Sequence, residues 1–92
     1  MIRYQYDENA LSITEQKNEN DIEFIIKIKD EDQYLQAIRQ VRADFDHNDI
    51  HTDALFYTHP DHEYQVIVRK EYYIDFILCL FKHQLVKSLT WS

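Results

Sequence analysis

Apolar and polar positions alternate from the start of the chain: Ile2, Tyr4 and Tyr6 against Arg3 and Gln5. A period of two marks a half-buried strand. Asp7-Glu8-Asn9 reads as a turn, and Leu11 and Ile13 resume the alternation, so the pattern predicts an N-terminal hairpin over residues 1–15. The polar stretch Gln16 to Asn20 then separates this hairpin from a core spanning residues 21–92. There Ile22, Phe24, Ile26 and Ile28 share one face, with Glu23, Lys27 and Lys29 opposite.

The period next lengthens to that of a helix. Asp30 is placed as its N-cap, with Gln33 reaching back in a capping box. Tyr34, Leu35, Ile38, Val41 and Phe45 form one stripe, and the helix ends near Asp46. Ala54 to Thr58 and Glu63 to Arg69 read as strands around His59-Pro60-Asp61-His62, where Pro and Asp fit the central positions of a type I turn. Tyr72 to Leu85 is long enough for a second helix. Its apolar arc covers about half the wheel, and Asp75, Cys79, Lys82 and His83 gather on the remainder. Ser88 to Ser92 reads as a short closing strand with Leu89 and Trp91 on one face.

The expected fold is therefore α+β, in one domain: a small antiparallel or mixed sheet with two helices on one face. Its order matches a ferredoxin-like βαββα(β) core preceded by the N-terminal hairpin. One conflict is built into that order. In such a core the first strand has neighbours on both sides, which leaves no place for the hairpin. Either the tail is not a strand of the sheet and the hairpin extends it as a meander, or the hairpin packs elsewhere.

Composition narrows the chemistry. Of the 92 residues, 45% are hydrophobic, and seven Tyr and five Phe supply large side chains for a core. A net charge of −7 argues against direct contact with phosphate backbones, where Lys and Arg must displace counterions. It is compatible with basic protein partners, metal cations or simple solubility. Cys79 is the single cysteine, so no internal disulfide is expected. With no basic-then-apolar start and no apolar run long enough for a bilayer, the expected setting is the cytoplasm, away from membranes. The chain contains no glycine. Phosphate-cradling loops, dinucleotide turns and nucleophile elbows depend on glycine, so none of these is expected. No cofactor is implied, and turns fall to Asn and Asp.

Ala43 to Val68 is the distinctive segment: six acids, four of the five histidines, and neither Lys nor Arg. His47 and His51 follow the first helix, whereas His59 and His62 flank the hairpin tip. Five strand residues at about 3.3 Å each hold the two pairs ~15 Å apart, too far for one ion. His83, near the end of the second helix, is expected on the side of His59 and His62. That trio, with Asp61 as a fourth donor, is the candidate transition-metal site. Asp44-Phe45-Asp46-His47-Asn48-Asp49 resembles the start of a calcium loop, but Asp49 stands where Gly is needed and Leu55 where a bidentate Glu is needed. Ser12, Ser88, Ser92 and Cys79 have no neighbouring motif that would activate them. The tyrosines lack the basic residues that accompany base-stacking surfaces.

These features point to a non-enzymatic protein-interaction or regulatory module, binding a protein partner or a second copy. Its expected interaction surface is Asp44, Asp46, Asp49, Asp53, Asp61 and Glu63. Two other readings are a transition-metal-binding protein using His59, His62 and His83, and an acidic inhibitor whose carboxylates imitate nucleic-acid phosphates.

Overall fold

A computed structural model describes residues 2–46 and 54–92. Strands β2 (Leu11–Lys17), β3 (Asp21–Ile28), β4 (Ala54–His59) and β5 (Glu63–Arg69) form an antiparallel sheet in the order β2-β3-β5-β4. The alternation of apolar residues sets its inner face. Phe24 stands opposite Val66, and Val66 opposite Phe56; the next row joins Ile13, Ile26 and Tyr64. Helix α1 (Glu31–Asp46) and helix α2 (Tyr73–Lys82) both lie against that face. Phe76 of α2 packs on Phe24 at 4.7 Å between ring centroids, and Phe45 of α1 meets Phe76 at 5.5 Å and Phe56 at 6.1 Å. The α+β class with two helices on one sheet face is therefore what forms.

The N-terminal hairpin over residues 1–15 does not form. Strand β1 (Ile2–Gln5) pairs instead with β6 (Ser88–Trp91), Ile2 opposite Trp91 and Gln5 opposite Ser88, in a separate two-stranded sheet. β2 pairs with β3 from Leu11–Ile28 to Lys17–Ile22. The physical reason lies at the Asp7–Ala10 turn. The Asp7 carbonyl accepts from the Ala10 and Leu11 amides, and the Asp7 side chain accepts from Asn9. Ala10 then turns its own carbonyl to the Lys29 and Asp30 amides at 2.8 and 2.9 Å. This ties the start of β2 to the end of β3 and sends β1 away from the sheet.

The same pairing corrects the ferredoxin-like expectation. β3 and β4 both run antiparallel to β5 between them, so α1 links two parallel strands separated by a third. In the expected core the last strand would lie on the outer side of β3. β2 holds that position, and the tail strand β6 belongs to the other sheet.

Local signals fix the element ends. Asp30 caps α1 by accepting the Gln33 amide at 3.3 Å, while its own amide goes to Ala10, so the expected capping box is half made. α2 begins after a short 3-10 turn, Lys70–Tyr72, and ends at Lys82, three residues earlier than expected. Gln84 adopts a left-handed conformation with φ 66. Its amide bonds to the Phe81 carbonyl at 3.0 Å and the Leu85 amide to the Leu80 carbonyl at 2.9 Å. These two bonds define a Schellman cap, completed by the contact position shared by fully buried Leu80 and Leu85. The hairpin between β4 and β5 also departs from type I. Asp61 and His62 both have positive φ, 63 and 57, the combination that type I′ turns use and that Asp and His tolerate.

Candidate functional site

The Schellman cap holds His83 at the C-terminal boundary of α2, one turn beyond Cys79 on the same side of the helix. Asp44, in the last turn of α1, faces both. His83 donates through Nε2–H to Asp44 Oδ2 at 2.6 Å, since an ionised carboxylate can only accept. The Cys79 thiol donates to the same oxygen at 3.6 Å, and Lys82 Nζ stands 3.6 Å from it. Asp44, Cys79 and His83 are half-buried, and Lys82 is exposed. The His83 hydrogen bond holds the Asp44 carboxyl below its ordinary value of 3.8, helped by Lys82. Burial, and then the Asp44 charge, push the Cys79 thiol up to about 12. Cys79 bonds to the carboxylate and not to the imidazole, so the cluster does not activate a nucleophile in the way a Cys–His pair does.

The aromatic stack positions this cluster. Phe45 follows Asp44 directly and Phe76 precedes Cys79 by three residues, and their edge-to-face contact brings the two helices together at that point. On the helical wheel Cys79, Lys82 and His83 already shared a side. Asp44 carried no sign of joining them, being 35 and 39 residues distant from its partners.

His59, His62 and His83 are not brought together. His59 donates to Gln65 Oε1 at 2.9 Å, and Gln65 passes a hydrogen bond on to Glu23 across the outer sheet face. His62 meets Glu31 at 2.8 Å, where both side chains are partly exposed. That contact places the hairpin tip at the start of α1, whereas His83 sits beside Asp44, thirteen residues along the helix. At 1.5 Å per residue the separation is ~20 Å. The expected position of His83 failed because α2 packs its C-terminal end on the far end of α1.

The expected acidic surface divides in the same way. Asp61 and Glu63 lie at or beside the tip, and Asp44 lies in the cluster at the other end of α1. Of Asp46 only the backbone is described, and Asp49 and Asp53, with His47 and His51, lie outside the described residues.

Two further features have no counterpart in the sequence reading. Glu15, on the inner side of β2, accepts hydrogen bonds from the Tyr4 and Tyr73 hydroxyls, the latter at 3.1 Å, joining β1, β2 and α2. Burial and the Glu15 charge raise both phenols above their ordinary value. The outer face of the four-stranded sheet, meanwhile, is not covered by either helix. On it Leu55 pairs with half-buried Ile67, and Tyr57 pairs with Gln65, beyond which lies Ile25. Leu55 and Tyr57 are 54% and 46% exposed, high for large apolar side chains in a strand.

Comparison with protein-family models, curated proteins and solved structures finds no match. No helix among the described residues is long and apolar enough to cross a membrane.

Proposed function

We propose that this protein is a non-catalytic interaction module that pairs with a second copy of itself through β4. The observation that carries this reading is the state of that edge strand. Sheet edges are ordinarily protected by charge, proline or covering structure, because their free backbone groups recruit other strands. β4 contains no Asp, Glu, Lys or Arg; β2 carries Glu15 and Lys17, β3 Asp21, Glu23 and Lys27, and β5 Glu63 and Arg69. The opposite edge is engaged by the segment that follows β1, since the Tyr6 hydroxyl bonds to the Ile13 carbonyl at 3.2 Å. β4 pairs only with β5 among the described residues.

Charge favours a second copy as the occupant. Two chains of net charge −7 repel in general, so a self-contact must avoid opposing like charges, and β4 is the one strand of this sheet that does so. A two-fold axis at Phe56 sets Leu55 beside Tyr57 of the second copy, covering the exposed side chains and continuing one sheet through both molecules. Such a contact is isologous, and closed pairing is the usual form of homo-oligomer.

Light scattering over a concentration series tests this. The wild type is expected to dimerise, and Leu55→Lys and Tyr57→Lys are expected to remain monomeric with unchanged circular dichroism. A wild-type chain that stays strictly monomeric at millimolar concentration overturns the homodimer. A dimer that both lysine variants retain overturns the β4 contact.

A further inference from the structure

The structure assigns a divalent transition-metal site, of zinc type, to Asp44, Cys79 and His83. Carboxylate oxygen, thiolate sulfur and imidazole nitrogen are the donors such borderline ions take, and three protein ligands leave the fourth position for water or an exogenous group. The donor atoms lie within 4.8 Å of one another and come from two different helices. Cys79 and His83 stand one helical turn apart on α2, and His83 is locked at the helix boundary by the cap at Gln84. Asp44 approaches from α1, and its position is set by the Phe45–Phe76 contact beside it.

Both distances to Asp44 fit with a small adjustment, and all three donors lie within 4.8 Å of one another. Metal–ligand bonds of about 2.0–2.3 Å at tetrahedral angles put donors ~3.3–3.8 Å apart. Sγ of Cys79 and Oδ2 of Asp44 are already 3.6 Å apart. His83 Nε2 and Asp44 Oδ2, at 2.6 Å, must open by less than 1 Å, a rotation of the Asp44 carboxylate. Lys82 is the competing cation at 3.6 Å, but its side chain is 71% exposed and can turn into solvent.

Charge and protons balance. The ion takes the place of the Nε2 proton that His83 gives to Asp44; that proton passes through solvent to Nδ1, so His83 stays neutral, with Asp44 ionised and Cys79 as thiolate. The thiol proton is released to solvent, and the two negative ligands neutralise the two positive charges of the metal. His59 and His62 have no part in the site.

Cobalt titration of the full chain, followed by absorbance, tests the assignment. One equivalent of Co2+ is expected to give a near-ultraviolet thiolate-to-cobalt band, and excess Zn2+ is expected to abolish it. Cys79→Ser should remove the band, and Asp44→Asn and His83→Gln should weaken binding by about tenfold or more. The double variant His59→Gln, His62→Gln should bind as the wild type does. Where a ligand variant fails to fold, protection of the wild-type thiol from maleimide by equimolar zinc gives the same answer. The site is overturned if the wild type gives no thiolate band and no thiol protection, or if binding follows His59 and His62.

Discussion

Phe76→Ala tests the packing on which the helix pair, the sheet and the Asp44 cluster all depend. The Phe76 ring is fully buried and meets three others, Phe24 at 4.7 Å, Phe45 at 5.5 Å and Phe56 at 6.3 Å. Removing a buried phenyl ring costs about 3–5 kcal/mol, combining lost transfer energy with the cavity left behind. Three surrounding aromatic rings are stiff and cannot collapse into the space, so the upper half of that range applies. A chain of this length has roughly 5–14 kcal/mol of total stability, so the variant loses a large part of it. Phe81→Ala is the internal control, five residues further along α2 and 44% exposed, and should cost about 1 kcal/mol or less. Urea unfolding followed by circular dichroism measures both. Phe76→Leu, which keeps most of the volume, should fall between them if Phe76→Ala does not fold at all. Equal costs for Phe76→Ala and Phe81→Ala would refute the reasoning, because α2 would then not be docked by its Phe76 face.

Two further outcomes follow from local features. Gln84→Gly should stabilise the protein by about 0.5–1 kcal/mol, raising the melting temperature by ~2–8 °C, because glycine carries no Cβ penalty at φ 66; a lowered melting temperature would contradict the Schellman cap. Cys79 should react slowly with iodoacetamide at pH 8. A thiol at about 12 instead of 9.0 holds about a thousandfold less thiolate there, so the native chain should alkylate much more slowly than the urea-unfolded chain, by about tenfold or more after the greater nucleophilicity of the more basic thiolate is counted. The same shift has a stability consequence. The neutral thiol is favoured in the folded state, so its contribution is intact below about pH 9 and is lost as pH rises from 9.0 towards 12. Cys79→Ala should lessen that alkaline loss in urea melts at successive pH values, and an unchanged decline would show that Cys79 does not contribute.

Much of the fold follows from patterns a few residues long. The alternation of Ile22, Phe24, Ile26 and Ile28 sets the inner face of the sheet, since a one-residue shift would turn every one of them outward. Asp30 starts α1 because its side chain reaches an amide three residues on, an interaction complete within one turn. Such features depend on neighbours in the chain, and the chain states its neighbours.

Partnership is different. Ile2, Tyr4 and Tyr6 announce a strand, but alternation does not say which strand it meets, and β1 pairs with β6 at the other end of the chain because the Asp7–Ala10 turn directs it away from β2. The wheel of α2 put Cys79 beside His83, yet the third member of the cluster came from α1. The place of His83 near the end of its helix suggested the side of His59 and His62, and the crossing of the helices carried it ~20 Å away from them. Residue spacing determined the periods, the caps and the shared faces. Burial of large rings between helices and sheet, a non-local condition, decided which of those faces meet, and with them the grouping of Asp44, Cys79 and His83.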